Sequence, residues 1–300
     1  MTVADGTEGR PRPATPVPGS RLGAGAPAIP APRFLAEATA PGVVRSGAGQ
    51  PRWRLLAPAL LVAVGLGVWE TAVRVAETPR WLLPPPSAIA RTLVEDRALL
   101  LDNARVTLVE VLLGFAVALV VGILLAAAID SSAILSRAVY PLVIASQTVP
   151  IPALAPLLLI WLGYGLSPKV LVTALVAFFP IVVNTVDGLR ATDGEVLALL
   201  RSMGAGRWTR FRLARLPSAL PYVFSGARIA VAVSVIGAII AELIASSAGL
   251  GYLLVRATAQ FQTARVFAAV LLLSLIGVGL FALVALAERL LLPWRRYERS

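Results

Sequence analysis

Hydrophobic residues gather into six runs divided by polar stretches: Leu55–Val73, Val106–Ile129, Val139–Leu162, Val170–Val186, Val223–Ala245 and Val266–Leu292. A helix rising about 1.5 Å per residue needs roughly 20 apolar residues to cross a hydrocarbon core about 30 Å thick. Each run is near or above that length, the first and fourth being the shortest. The pattern predicts an all-α integral membrane protein with about six transmembrane helices. One polar interval stands out, Asp187–Tyr222, between the fourth and fifth runs. It holds six arginines (Arg190, Arg201, Arg207, Arg210, Arg212, Arg215) against three acids.

That interval carries its own helix signals. Thr192 to Glu195 has the T-x-x-E form of a capping box, which predicts a helix from Thr192 to about Met203. Gly204 follows as the residue able to take a positive φ at the helix end. A second helix is expected over about Gly206–Arg215, with Trp208, Phe211 and Arg212 on one face. Leu216-Pro217 is expected to end it, and Pro221 to mark the start of the fifth span. Such a pair is suited to docking a partner, or to resting on lipid headgroups.

Other polar features interrupt the apolar pattern. The third run contains prolines at 141, 150, 152 and 156, with Gln147 and Thr148 beside the predicted break. A broken membrane helix needs partners for its freed carbonyls, so it either lines a cavity or shapes packing. Between the first and second runs, three prolines precede Ser87, read as the N-cap of a short amphipathic helix from Ala88 to about Leu101. Glu242 lies inside the fifth run, Asn184 near one end of the fourth and Glu110 near one end of the second. Charged groups inside a span face protein or water. Glu242 is therefore a candidate for pathway lining, for a structural hydrogen bond or for snorkelling. Ser246, Ser247, Gly249 and Gly251 are read as the turn after it.

Composition adds boundaries. The 300 residues are 58% hydrophobic with a mean hydropathy of +0.82, which excludes an ordinary soluble domain. A net charge of +11 in a soluble chain suggests nucleic acid. Here the arginines cluster at run ends and in the polar interval, so no nucleic-acid binding is expected. Residues 1–52 are more than half Pro, Gly and Ala and are read as a disordered cytoplasmic tail, leaving 53–300 as the transmembrane domain. With the N-terminus inside, eighteen Lys and Arg fall on the cytoplasmic side against eight outside, which favours a protein of the cell membrane with both termini and the polar interval (about 187–222) on its cytoplasmic side. There is no cysteine and no histidine, so no metal site or thiol or imidazole nucleophile is expected. Lys169, the lone lysine, has no phosphate-binding glycine loop ahead of it, so no ATP hydrolysis and no catalytic residue are assigned to this chain.

Gly204, nine residues and then Ala214-Arg215-Leu216-Pro217 resemble the EAA motif of ABC importer permeases, E-A-A-x-x-x-G followed by nine residues and I-x-L-P. The glycine and the Leu-Pro match; Ala198-Leu199-Leu200 replaces the opening triplet and Ala214 the isoleucine. LLPPPSAI, QTVPIPALAPLLLIWLGYG, AFFPIVVNTVDGLR and IIAELIASSAGLGYLL are similar, in order, to stretches of the nitrate/sulfonate/taurine branch. The resemblance covers about residues 55–295. TVDGLR, FSGARIAVAVSVIGAIIAE, FQTARVFAA and the LLLPW ending most resemble permeases for thiamine-precursor pyrimidines.

The resemblance implies a type I importer in which two copies of this chain form the pathway. Two cytosolic ATPase subunits would bind ATP and magnesium, and an extracytoplasmic binding protein would deliver the solute. The implied ATPase-coupling residues are Glu195, Leu199, Leu200, Met203, Gly204, Ala205, Arg207, Trp208, Arg210, Phe211, Leu216 and Pro217. The candidate pathway residues are Gln147, Thr148, Pro150, Asn184, Glu242 and Ser246. A proton-coupled secondary transporter using Glu242 or Glu110 is the alternative. An intramembrane enzyme lacks paired carboxylates, metal ligands or an activated nucleophile.

Overall fold

The computed structural model describes residues 53–293, and the expected tail over residues 1–52 lies outside them. The chain divides at Leu56/Ala57 into two units, and the helices belong to the second, apart from the first residues of α1. The helices are α1 (Trp53–Val75), α2 (Pro86–Glu95), α3 (Arg97–Ser131), α4 (Ala133–Ser146), α5 (Ile151–Leu162), α6 (Leu166–Arg190), α7 (Gly194–Ser202), α8 (Arg207–Arg210), α9 (Leu216–Ala245), α10 (Leu250–Ala259) and α11 (Thr263–Leu291). A π-helical turn, Phe211–Arg215, joins α8 to α9. No strand occurs among the described residues.

Five helices are long and apolar enough to span a membrane on their own: α1, α3, α6, α11 and the continuous Arg207–Ile244. The third apolar run is broken beside Gln147 and Thr148, as expected. It is two helices, α4 and α5, meeting at 100° across Gln147–Pro150. Pro150 has no N–H to extend α4, and Pro152 sits in the first turn of α5, where a missing donor costs nothing.

Packing shows what this bent pair does. Glu110, Gly114 and Gly122 of α3 face Lys169, Thr173 and Ile181 of α6, a constant offset of 59 residues, so the two helices run parallel. The chain that leaves α3 at Ser131 must therefore return to the opposite end before α6 begins. α4 packs through Val139 and Val143 on Ile129 and Val186 at one end, and α5 packs through Ala155 and Leu158 on Val172 and Ala241 at the other. The bent pair thus traverses the bundle as one broken span, which makes six.

α6 is held between α3 and α9. Gly188 meets Tyr222, Gly226 meets Pro180 and Asn184, and Gly237 meets Thr173 and Val176, so α9 runs antiparallel to α6. Lipid tails are as apolar as leucine, so helices in a bilayer gain by close backbone approach, and small residues permit it. Asn184 donates from Nδ2 to the Pro180 carbonyl at 2.8 Å, one turn back along α6, and so keeps its amide bonded beside the contact with Gly226. A second cluster joins α2, α3, α9, α10 and α11 through Ile89, Leu100, Val231, Leu250, Ala269 and Leu273.

Element ends differ from the expectations. α3 starts nine residues before Val106 and leaves Glu95 as the end of α2, so the short helix does not reach Leu101. Ser87 is not the N-cap. Pro85 is, and Glu70 of α1 accepts hydrogen bonds from Ser87 N at 3.0 Å and Ser87 Oγ at 2.8 Å. A β-carbon at Gly226 would lie 2.8 Å from Pro180 O and 2.9 Å from Asn184 Cβ, whereas one at Gly65 in α1 would meet nothing. Gly226→Leu should lower stability by about 1–3 kcal/mol through overpacking, and Gly65→Leu should change little. Thermal unfolding in detergent checks this, and equal melting of the two variants would contradict the close α6–α9 contact.

Candidate functional site: a helical elbow and a buried charge network

The segment between α6 and α9 folds as an elbow. α6 ends where Arg190 donates to Ser136 Oγ at 2.7 Å and its guanidinium lies 5.0 Å from the Tyr140 ring centroid. The cap of α7 is Asp193 rather than Thr192. Its carboxylate accepts from Glu195 N at 2.8 Å, while Thr192 Oγ1 turns back to the Leu189 carbonyl at 3.3 Å. The carboxylate also adds negative charge at a helix N-terminus, which a hydroxyl lacks. The end of α7 is as expected. Gly204 has φ 77°, with Gly204 N donating to Arg201 O and Ala205 N to Leu200 O, both at 2.9 Å. This paired pattern fixes the turn and needs a residue that tolerates the left-handed region.

The second elbow helix does not end at Leu216-Pro217. Leu216 N bonds to Phe211 O, five residues back, and the helix continues through Pro217 into α9. A π turn widens the backbone, giving the proline ring room where an α-helical carbonyl would clash. The elbow and the fifth span are therefore one rod.

The expected coupling residues separate into two sets. Leu199, Met203 and Trp208 are 61%, 74% and 69% exposed, an apolar surface with no covering among the described residues. Trp208 stacks on Phe211 at 5.6 Å. Glu195, Gly204, Arg207 and Leu216 are also exposed, while Leu200, Ala205, Arg210, Phe211 and Pro217 are half-buried. Leu197 and Ala214, both buried, anchor the elbow to the bundle. Phe211, Arg207 and Arg210 line a cleft beneath it with Arg201 and Arg215, and Arg215 Nη1 pairs with Asp130 Oδ2 at 2.5 Å.

At the opposite end of α3 lies a network that connects three spans. Asn103, Thr107 and Glu110 occupy one face of α3 at helical spacing. Lys169 Nζ pairs with Glu110 Oε1 at 2.8 Å and donates to Ser246 Oγ at 2.6 Å. Thr107 Oγ1 donates to Glu242 Oε1 at 2.7 Å and accepts from Leu250 N at 2.8 Å. Gly251 N donates to Glu242 Oε2, and Gly249 N to Asn103 Oδ1 at 2.8 Å. The first amides of α10, which no helix can satisfy internally, thus find their acceptors on α3 and on Glu242. Glu110 and Glu242 are each 1% exposed.

Of the candidate pathway residues, Gln147, Thr148 and Pro150 stand together and exposed at the α4–α5 break. Thr148 Oγ1 returns to the Ala145 carbonyl at 2.8 Å. Asn184 faces the α6–α9 contact, and Glu242 and Ser246 belong to the buried network, so the six do not form one site. Sequence reasoning missed Lys169, counted as a loop charge, and α10, a ten-residue helix after the Ser246–Gly249 turn. It also missed the Arg228–Glu288 pair at 3.3 Å between α9 and α11.

Residues 118–293 match the family described as the binding-protein-dependent transport system inner membrane component. The chain belongs to this family: it is a permease subunit of an ABC importer and an integral component of the membrane. It is similar to the formylaminopyrimidine transport permease protein ThiX of Halalkalibacterium halodurans, 39% identical over 82% of this chain and 98% of that one. It is 35% identical to the riboflavin transport system permease protein RibX of Chloroflexus aurantiacus, over 81% of this chain and 91% of that one. The putative aliphatic sulfonates permease SsuC of Bacillus subtilis is 30% identical over 85% of this chain and 94% of that one. A chain of the inward-facing MetNI methionine ABC transporter superposes with a TM-score of 0.54 at 20% identity, over 64% of this chain and 97% of that one, and so shares the fold.

Lys169→Met leaves the Glu110 carboxylate buried without its cation, a change that costs about 3–5 kcal/mol in comparable buried pairs. Adding Glu110→Met should recover most of that loss. Thermal stability of the single and double variants in detergent is the measurement, and a double variant as unstable as the single one would dismiss the pairing.

Proposed function

We propose that the elbow is the point where cytosolic ATPase subunits act on this permease, and that the solute is a nitrogen heterocycle of the thiamine-precursor pyrimidine type. The observation that carries the first part is the continuity of elbow and span. Arg207–Ile244 is one helix of 38 residues, about 57 Å long at 1.5 Å per residue. A displacement at Trp208 is then carried towards Glu242 along a helix that no loop interrupts. The outward apolar set, Leu199, Met203 and Trp208, is the docking face, and Gly204 fixes the angle between its two halves. Two copies of the chain would form the pathway, with the elbows and both termini in the cytoplasm and a binding protein delivering the solute on the far side.

Nucleotide-driven closure of the ATPase pair would draw the two elbows together. It biases the pathway only through contacts that differ between its states. At the far end of the rod, Glu242 holds the start of α10 against α3, so movement of α9 is transmitted to the outer turn. This gives Glu242 a positioning role in place of pathway lining. Gln147 and Thr148, exposed at the α4–α5 break, are the stronger lining candidates. Both Glu242 oxygens are engaged, by Thr107 and by the Gly251 amide, which favours a positioning role over proton carriage.

The substrate reading rests on greater similarity to the formylaminopyrimidine and riboflavin permeases than to the sulfonate and taurine ones, the latter 28% identical in Escherichia coli. In cells carrying the complete importer, excess unlabelled formylaminopyrimidine should suppress uptake of its labelled form while taurine does not. Suppression by taurine alone would move the substrate to the sulfonate class. Gly204→Asp should insert normally yet fail to co-purify with the ATPase, since φ 77° disfavours any side chain and the new charge faces the docking surface. Undiminished co-purification would rule out docking at the elbow.

A further inference from the structure

The cleft beneath the elbow has a volume of about 420 Å³ and is walled by the end of α3 (Ala127, Asp130, Ser131), α7, α8 and the π turn. Four guanidinium groups line it, from Arg201, Arg207, Arg210 and Arg215, with Asp130 as the one carboxylate. Arg215 is paired with that carboxylate, and Arg210 Nε makes a long contact of 3.5 Å to Gly206 O. Arg201 and Arg207 meet no carboxylate within ion-pair distance among the described residues. The cleft therefore carries an excess of three positive charges. Its floor is apolar, from Ala127, Leu189, Leu197 and Phe211.

We propose that this cleft binds a phosphate-bearing anion, either the headgroup of an anionic phospholipid or free phosphate, with Arg201 and Arg207 as its principal ligands. Guanidinium forks match phosphate oxygens two at a time, and an anion between them relieves the repulsion of like charges crowded on one cavity. Position and shape favour the headgroup. Asp130 and Ser131 end the apolar length of α3, so the cleft opens at the boundary of the hydrocarbon. An apolar floor beneath a cationic rim accommodates a glycerol and its first methylenes as well as a phosphate. Juxtamembrane arginines are attracted to anionic lipid surfaces by about 1 kcal/mol each, near fivefold in occupancy. Occupancy would tie the end of α3 to α7 and α8, stiffening the elbow. The proposal stands without the ATPase reading, because binding is read on this chain alone.

The test uses the full-length chain in nanodiscs of equal parts phosphatidylcholine and phosphatidylglycerol, extracted into detergent, with retained lipids counted by native mass spectrometry. Phosphatidylglycerol should be enriched over phosphatidylcholine on the wild type. Arg201→Gln should reduce that enrichment about fivefold, and Arg201→Lys should keep most of it. Asp130→Asn should raise it by removing the competing carboxylate, an increase that loss of fold does not produce. Inorganic phosphate titrated into the detergent-extracted protein distinguishes the sources. Displacement of the lipid, or thermal protection that Arg201→Gln abolishes, identifies free phosphate as a ligand, and its absence leaves the headgroup. Equal phosphatidylglycerol retention by wild type, Arg201→Gln and Asp130→Asn, with no protection by phosphate, would overturn the proposal. If Arg201→Gln fails to insert, the Asp130→Asn comparison decides alone.

Discussion

The parallel contact between α3 and α6 is the constraint on which the rest of the bundle depends. Gly114 and Gly122 let the two backbones approach so closely that a β-carbon at Gly122 would lie 2.8 Å from Ile181 Cγ2. Two parallel neighbours require the intervening chain to recross the bilayer in the space left over. That space is filled by α4 and α5, and the proline break lets them bend by 100° around the core. The same contact aligns Glu110 with Lys169, so an ion pair becomes possible in a region where an isolated charge is expensive.

Much of this was legible in the sequence because bilayer thickness imposes a length on every span. The six apolar runs correspond to the six spans, counting α4 and α5 together. Their ends were less legible, since helices continue past the hydrocarbon into polar residues. Arg97 to Arg105 belong to α3 although none of that stretch is needed to cross the membrane. The 100° break was only half readable, because Pro150 and Pro152 signal an interruption and give no angle. α10 escaped notice because ten residues with a polar face carry no membrane signal. The pattern of helix signals around Gly204 marked the elbow's first helix and its end. It gave no warning of the π turn, whose identity lies in backbone hydrogen bonds rather than in residue types.

The polar residues show where one-dimensional reasoning fails. Glu110 reads as interfacial from its place near the start of an apolar run, and Lys169 as a loop charge between runs. Both are buried, because α3 and α6 extend beyond those runs and bring the two together. Glu242 was recognised as significant, yet its partners are Thr107, 135 residues away in sequence, and the amide of Gly251. A pattern of apolar residues predicts which segments enter the membrane. It does not predict which faces meet, and every polar contact in this network depends on faces.

The π turn joins the elbow to the fifth span. Inserting one residue into a helix rotates everything beyond it by about 100°. At Phe211–Arg215 that rotation accompanies Arg215 on Asp130 and Phe211 on the cleft wall, while Trp208 and Leu213 remain outward. A regular helix through the same residues would turn the outward set relative to α9 and bring the Pro217 ring against the carbonyl of Leu213. The Leu-Pro that reads as a helix stop therefore works as the reverse. It selects a widened turn that keeps the rod unbroken while setting the orientation of the elbow face. Continuity makes the elbow and α9 one helix, and the turn determines which side chains face outward from it.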